Sequence, residues 1–262
     1  MNALHADALA MLHRYSITYV RPVEAMPPGL REVMLAAYLI MRGIDEIEDH
    51  PTLDLVTKTF LLEGIGSAIE GRFDHSAMNA LFAGRETSLP EVSLRLADWA
   101  ALPPEDIAAR VLEAFACMAT RMAAWARRDF RIENGIDLDR YTYAVAGSLA
   151  LLFGDIWAWF DGTRCNRAWL LGYGRGIQAA NILKDRGEDL ERGASFWPPG
   201  WEPRHLRAYA ERELRLGDQL LVSLPAASPA RRWCELPLAN AWNIVHASET
   251  ARPEQAHAGA AS

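Results

Sequence analysis

Cysteine is scarce: Cys117, Cys165 and Cys234 lie far apart in 262 residues, with no CxxC or Cys/His spacing. Neither a disulfide framework nor a zinc site is indicated, and a reducing cytoplasm suits such a chain. Positive charge is also short, with 27 Lys and Arg against 34 Asp and Glu and a net charge of −7. No long-range attraction for phosphate backbones follows, so nucleic acid is not expected as a partner. An anionic ligand would have to be held by metal or by a few placed cations. Met1 to Tyr15 carries no basic stretch followed by an apolar run, so no signal peptide is expected. The most apolar window, Tyr143 to Phe160, is interrupted by Gly147, Ser148, Gly154 and Asp155. It reads as a buried core helix and not as a membrane span. Sustained alternation of β-branched residues is missing too, which removes the signal for sheets.

What remains is helical. Half the residues are hydrophobic and 23% are charged, a composition that folds as a soluble globular protein. One all-α domain over residues 1–249 is expected, followed by a disordered tail, 250–262, rich in Ala, Gly, Pro and His. Pro28 opens a helix that runs through Leu35, Tyr38 and Met41 to Asp49, where Pro51 forbids continuation. Thr52 is a candidate cap for the next helix, and Pro103-Pro104 open a third with apolar residues three and four apart. Asp137 or Asp139 starts a fourth, ending near Gly162, and Thr163 a fifth that reaches about Gly193. Leu206 to Leu221 and Arg231 to Ala247 complete the set, the latter with a kink expected at Pro237.

One acidic pattern, D-x-x-E-D, occurs twice, at Asp45-Glu46-Ile47-Glu48-Asp49 and again 140 positions later at Asp185-Arg186-Gly187-Glu188-Asp189. Residues three and four apart share a helix face, so Asp45, Glu48 and Asp49 converge, as do Asp185, Glu188 and Asp189. Like charges stacked this way repel and call for a compensator. Mg²⁺ is the obvious one, because it takes oxygen ligands and bridges one or two carboxylates to substrate phosphates. A solvated acidic face is the commoner fate of helical Asp and Glu. Against it, Val33 to Ile44 is apolar on nearly every side and should be buried, and Gln178, Asn181, Asp185 and Asp189 form a polar stripe opposite Ile177, Leu183 and Leu190. A di-iron carboxylate bundle, which places Glu-x-x-His pairs on facing helices, is set aside.

These blocks resemble the squalene and phytoene synthase family over about Tyr15 to Ala247. Ala37-Tyr38-Leu39-Ile40-Met41-Arg42-Gly43-Ile44 through Asp49 is similar to that family's first aspartate-rich motif. Gln178-Ala179-Ala180-Asn181-Ile182-Leu183-Lys184 through Asp189, and on to Phe196-Trp197-Pro198, is similar to its second. Between them, Tyr141-Thr142-Tyr143-Ala144-Val145-Ala146-Gly147 matches the segment carrying the active-site tyrosine, which falls on Tyr141. The resemblance implies a single-domain helical isoprenoid synthase fold with a central cavity. It implies a prenyltransferase whose Asp45, Asp49, Asp185 and Asp189 bind Mg²⁺, with Glu48 and Glu188 beside them. Arg42 and Lys184 would contact diphosphate, Tyr38, Gln178 and Asn181 would add polar contacts, and Tyr141 would face the carbocation or assist proton transfer.

The chain departs from that family in places. His50 stands where many relatives carry a further Asp, and Ile17 where they commonly carry a phosphate-binding arginine, leaving Ser16 and Thr18 as candidate contacts. Only 64 residues follow Pro198, so the further helix of squalene synthases is not expected, nor is a reductive NADPH step. The shortened pattern is most similar to the moenomycin-type prenyltransferases of phosphoglycolipid antibiotic biosynthesis. That subgroup joins a geranyl unit to a farnesyl chain on a phosphoglycerate acceptor to give a branched C25 lipid. Head-to-head condensation of two prenyl diphosphates and prenylation of a small aromatic are the alternatives, and a catalytically silent scaffold of the same fold is disfavoured by the retained carboxylates. A lipid-linked acceptor implies peripheral contact with the inner membrane face, for which Trp197-Pro198-Pro199-Gly200-Trp201 is a candidate, although burial of both indoles is preferred. A homodimer is compatible with all of this.

Overall fold

Caps and breakers written into the sequence set the course of the chain in the computed structural model, which describes residues 3–71, 73–191 and 195–250. The helices are α1 (Ala3–Tyr15), α2 (Val20–Glu24), α3 (Leu30–Glu48), α4 (Leu55–Glu70), α5 (His75–Phe82), α6 (Glu91–Leu94) and α7 (Leu96–Ala100). They continue with α8 (Glu105–Ala126), α9 (Gly135–Thr142), α10 (Ser148–Asp161), α11 (Arg167–Lys184), α12 (Arg186–Glu191), α13 (Pro203–Ser223) and α14 (Pro229–Thr250). A five-residue π-turn, Tyr143–Gly147, joins α9 to α10. No strand occurs among the described residues.

Several boundaries differ from expectation, each for a local reason. The helix α3 starts at Leu30 because Gly29 takes a left-handed φ of 85° and Glu32 accepts its N–H. Asp54, not Thr52, caps α4, accepting from Thr57 N–H at 2.8 Å. Asn134 caps α9 through Asp137 N–H at 3.0 Å, so Asp137 and Asp139 lie inside the helix. Asn166 caps α11, not Thr163, accepting from Ala168 N–H at 2.9 Å. The single helix expected to reach Gly193 breaks at Asp185 into α11 and α12, and Gly193 lies outside the described residues. Leu190 is 54% exposed, so the apolar face opposite the acidic stripe ends before it. Of the tail, Thr250 closes α14 and residues 251–262 lie outside the described residues.

The buried apolar residues form one continuous core. Its axis is α3, in which Val33, Leu35, Leu39, Ile40, Ile44 and Ile47 are at most 2% exposed. The segment Gly135–Asp161 is the one stretch among the described residues long and apolar enough to cross a membrane by length and composition, and 56% of its apolar window is buried in the protein. Contact between α11 and its neighbours is set by glycines. A Cβ on Gly176 would lie 2.8 Å from the backbone N of Leu214 on α13, and one on Gly174 would lie 2.6 Å from the carbonyl O of Ala146 in the π-turn. These approaches draw α13 and the π-turn against α11, and α11 and the π-turn line a hollow bounded on its other side by α3.

Candidate active site

Two walls of carboxylates face that hollow, a cavity of about 470 Å³. Asp45, Glu48 and Asp49 come from the C-terminal end of α3; Asp185, Glu188 and Asp189 come from the break after α11 and from α12. Tyr38, Arg42, Tyr141, Gln178 and Asn181 line the same space. Of the residues singled out from sequence, Ser16, Thr18 and Lys184 do not line it. Ser16 instead accepts the N–H of Tyr19 at 2.9 Å, while Lys184 is exposed at the rim and pairs with Asp185 at 3.0 Å. Ile17 is 99% exposed, so this stretch sends no side chain inward in place of a cation. His50 also stays out of the cavity: its Nε2 donates to Ser88 O at 2.7 Å, and its Nδ1 accepts from Leu53 N–H at 3.3 Å, which orders the loop after α3.

The first wall is tied internally by Arg42. Its Nε donates to Glu46 Oε1 at 2.9 Å and its Nη1 lies 3.4 Å from Asp45 Oδ2. Guanidinium has five donors, so this leaves capacity for a further anion. Tyr38 donates its hydroxyl to Tyr15 O at 2.9 Å, pinning the end of α1 beside the cavity. Glu48 and Asp189 are both 6% exposed. Burial, then the charges of Asp49 and Asp45, push the Glu48 carboxyl well above the ordinary carboxylate range.

Between the walls stands Tyr141, 3% exposed. Its hydroxyl donates to Glu48 Oε1 at 3.4 Å, its ring stacks on Phe196 at 4.7 Å, and Trp125 meets it edge-on at 5.7 Å. Burial, then Glu48, Asp49, Asp45 and Asp189, raise its hydroxyl well above the usual phenol range, so it remains a proton-bearing donor at neutral pH. Away from the walls the lining turns apolar, with Leu149, Phe153, Tyr19 and Trp233. Tyr19 and Trp233 stand 4.3 Å apart and Phe153 and Trp233 5.0 Å apart, closing the far end. Phe196 and this aromatic floor were not singled out as site residues from sequence. The signal was present as a row at four-residue spacing, Tyr141, Val145, Leu149 and Phe153, all of which line the cavity.

Among the described residues no three His, Cys, Asp or Glu side chains converge to cage one ion. The donor set is nevertheless that of a hard cation: carboxylate oxygens on two sides and no thiol or imidazole in the lining. Such a divided set fits Mg²⁺, which is commonly held by one or two carboxylates and completed by substrate phosphates and water, better than it fits a fully caged ion. Glu202 and His205 have di-iron ligand spacing, but His205 Nδ1 accepts the N–H of Glu202 at 2.9 Å at the start of α13, away from the cavity. The Trp197 indole is buried and lies under Arg186, whose guanidinium carbon is 3.7 Å from the ring centroid; Trp201 packs near Tyr209.

Comparison with known proteins places this geometry. The chain is 28% identical over 203 residues to the squalene synthase of Eremothecium gossypii, which covers 72% of this chain and 44% of that protein. It is 28% identical over 201 residues to the 15-cis-phytoene synthase of Synechocystis, covering 71% and 52%. The chain thus spans about half the length of these curated relatives, or less. A solved structure of TcSQS with the ligand BPH1237 superposes with a TM-score of 0.78 at 17% identity, over 94% of this chain and 79% of that one. A dehydrosqualene synthase in complex with ligand gives 0.53 at 17% identity, over 92% and 83%. At that identity the likeness establishes the fold, an all-α isoprenoid synthase architecture. The family model for squalene/phytoene synthase matches residues 12–241, which takes in both carboxylate walls and Tyr141, and the chain belongs to that family.

Proposed function

We propose that the protein is a prenyltransferase that ionises an allylic isoprenyl diphosphate at the carboxylate end of the cavity and joins the cation to the alkene of a second prenyl chain. The observation that supports this reading is the facing of six carboxylates from two distant segments across one hollow that then turns apolar. Such an arrangement suits a ligand with an anionic, metal-binding head and a long hydrocarbon tail. Mg²⁺, when bound, supplies neutralisation of the leaving diphosphate. Asp45, Asp49, Asp185 and Asp189 would hold it, with Glu48 and Glu188 adjoining.

The chain's own residues would act as follows. Arg42 binds diphosphate oxygens, and Gln178 and Asn181 orient the head group. The carbon–oxygen bond breaks with both electrons leaving on diphosphate. The faces of Tyr141 and Phe196 stabilise the allylic cation, and the apolar lining keeps water from capturing it. The acceptor alkene gives its electron pair to the cation, and a proton is then lost from the acceptor. Tyr141 keeps its proton, and on substrate binding its hydroxyl turns from Glu48 to donate that proton's hydrogen bond to the leaving diphosphate.

Two acceptors are distinguished by charge. The names of the relatives favour a second prenyl diphosphate and head-to-head condensation. The moenomycin-type alternative, a geranyl unit joined to a farnesyl chain on a phosphoglycerate, is favoured by the outward-facing Ile17 and by Arg42 being the sole Lys or Arg in the lining among the described residues. Purified protein is incubated with geranyl or farnesyl diphosphate and Mg²⁺, with and without a farnesyl-phosphoglycerate acceptor, while diphosphate release and product mass are read. Release and a coupled product are expected, and Asp45→Ala or Asp189→Ala should lower turnover by roughly 10²-fold or more. No release from any allylic diphosphate, under conditions where one is bound, overturns the reading.

A further inference from the structure

Behind the cavity, on the opposite faces of the same two elements, lies a groove of about 360 Å³. The π-turn presents Val145 and Ala146 to the cavity but Tyr143 and Ala144 to the groove; α11 presents Gly174 and Gln178 to the cavity but Arg175 to the groove. Arg121 from α8, Arg140 from α9 and Arg175 all line it, against one carboxylate, Asp139. In a chain of net charge −7 this is a local reversal of sign.

Little in the protein neutralises these arginines. Arg121 lies over the Tyr143 ring at 5.1 Å and makes no ion pair among the described residues. Arg175 spends one amine on the carbonyl O of Asp139 at 3.2 Å, and its Nε is buried with no acceptor. Arg140 is 3.6 Å from Asp137, but Arg128 already holds that carboxylate at 3.1 Å. The Asp139 carboxylate accepts the Tyr209 hydroxyl at 2.9 Å. Ala124, Trp125, Ala144 and the 64% exposed Ile136 complete an apolar side. Planar guanidinium forks set beside apolar surface match a phosphate or diphosphate group carried on an apolar body.

We infer that this groove is a second anion site, which binds a phosphate-bearing amphiphile through Arg121, Arg140 and Arg175, independently of what the central cavity does. The ligand's shared chemistry is a phosphate head on hydrocarbon, whether a soluble prenyl phosphate or a lipid headgroup.

Metal-free conditions isolate the groove, because a cavity walled by six carboxylates repels diphosphate without a divalent ion. With the full chain in EDTA, inorganic diphosphate is titrated by calorimetry, and phosphatidylglycerol and phosphatidylcholine vesicles are tested by co-sedimentation. At least one of diphosphate and phosphatidylglycerol should bind. Binding should weaken by about tenfold or more in Arg121→Gln/Arg140→Gln, be partly regained in Arg121→Lys/Arg140→Lys, and be unchanged in the cavity variant Arg42→Gln. Capture by phosphatidylglycerol vesicles alone assigns the lipid headgroup, and diphosphate binding alone assigns a soluble ligand. Binding of neither probe, binding indifferent to the arginine pair, or binding abolished by Arg42→Gln overturns the assignment. Should the glutamine pair melt early, the lysine pair and the Arg42→Gln control still decide.

Discussion

Glu48 carries a cost that the other carboxylates of its wall help impose. Its folded-state affinity for a proton is raised above the ordinary value of 4.5, chiefly by burial and then by Asp49 and Asp45. A group that binds its proton more tightly in the folded state favours folding at low pH, and that contribution is lost as pH rises from the unfolded value through the folded one. In EDTA, chemical denaturation should therefore show stability falling with pH above about 4.5. Glu48→Gln, which cannot ionise, should flatten that slope and leave the metal-free protein more stable at neutral pH. An unchanged slope would place the charge strain elsewhere. Tyr141→Phe keeps the stack on Phe196 and removes only the hydroxyl, so turnover should fall by about 10²-fold with little loss of stability. Near wild-type turnover would assign the role to the ring alone. Carboxylates at three and four spacing were legible in the sequence because helix geometry alone makes them converge. The outward turn of Lys184 and the placement of Ser16 and Thr18 were not, since each depends on where a loop or helix end leaves the bundle.

Helix breaks shape the second wall. Asp185 ends α11, and α12 carries Glu188 and Asp189 as a six-residue piece with a contact that the sequence does not announce, Arg186 over Trp197. The next residue on the chain side, Phe196, stacks on Tyr141, so two adjacent aromatics couple α12 to the tyrosine between the walls. Arg186→Gln should raise the Mg²⁺ concentration needed for half-maximal turnover more than it lowers the melting temperature. Gly174→Ala acts on the opposite side: its Cβ would meet backbone of the π-turn at 2.6 Å, and backbone cannot yield as a side chain does. We expect a loss of roughly 1–3 kcal/mol, measured by denaturant titration. The major helices were readable from their 3.6-residue period and from proline and glycine punctuation. The short helices α2, α5, α6 and α7 were not, because four to eight residues give too few turns for a period to show, and the 13-residue α1 was also not read as a helix. The break at Asp185 was hidden for another reason: Asp189 N–H still bonds Asp185 O at 2.9 Å, so the helical spacing survives the break.

Taken whole, the protein gathers negative charge inside a chain already at −7, and its stability should respond to whatever neutralises the cavity. Mg²⁺ with an unreactive diphosphate analogue should raise the melting temperature, and EDTA should reverse the gain. At a ligand concentration about 100 times its Kd the stabilisation is about 2.7 kcal/mol. No shift with either metal or analogue would count against a cation-dependent site. The meeting of Asp45 and Asp185 across one hollow followed from repetition of an acidic spacing on two otherwise apolar helices. The groove of Arg121, Arg140 and Arg175 did not, because its members come from three helices and share no motif.

The π-turn has a geometric effect on the helix it interrupts. In a regular α-helix a step of four residues overshoots one turn by about 40°, so a row of side chains four apart drifts round the cylinder. A wider i→i+5 turn between Tyr143 and Gly147 takes back part of that rotation. Tyr141, Val145, Leu149 and Phe153 are thereby kept in file along a single meridian, from the charged mouth to the aromatic floor. The wide turn works as a vernier, and deleting one residue from it would swing everything downstream away from the hollow.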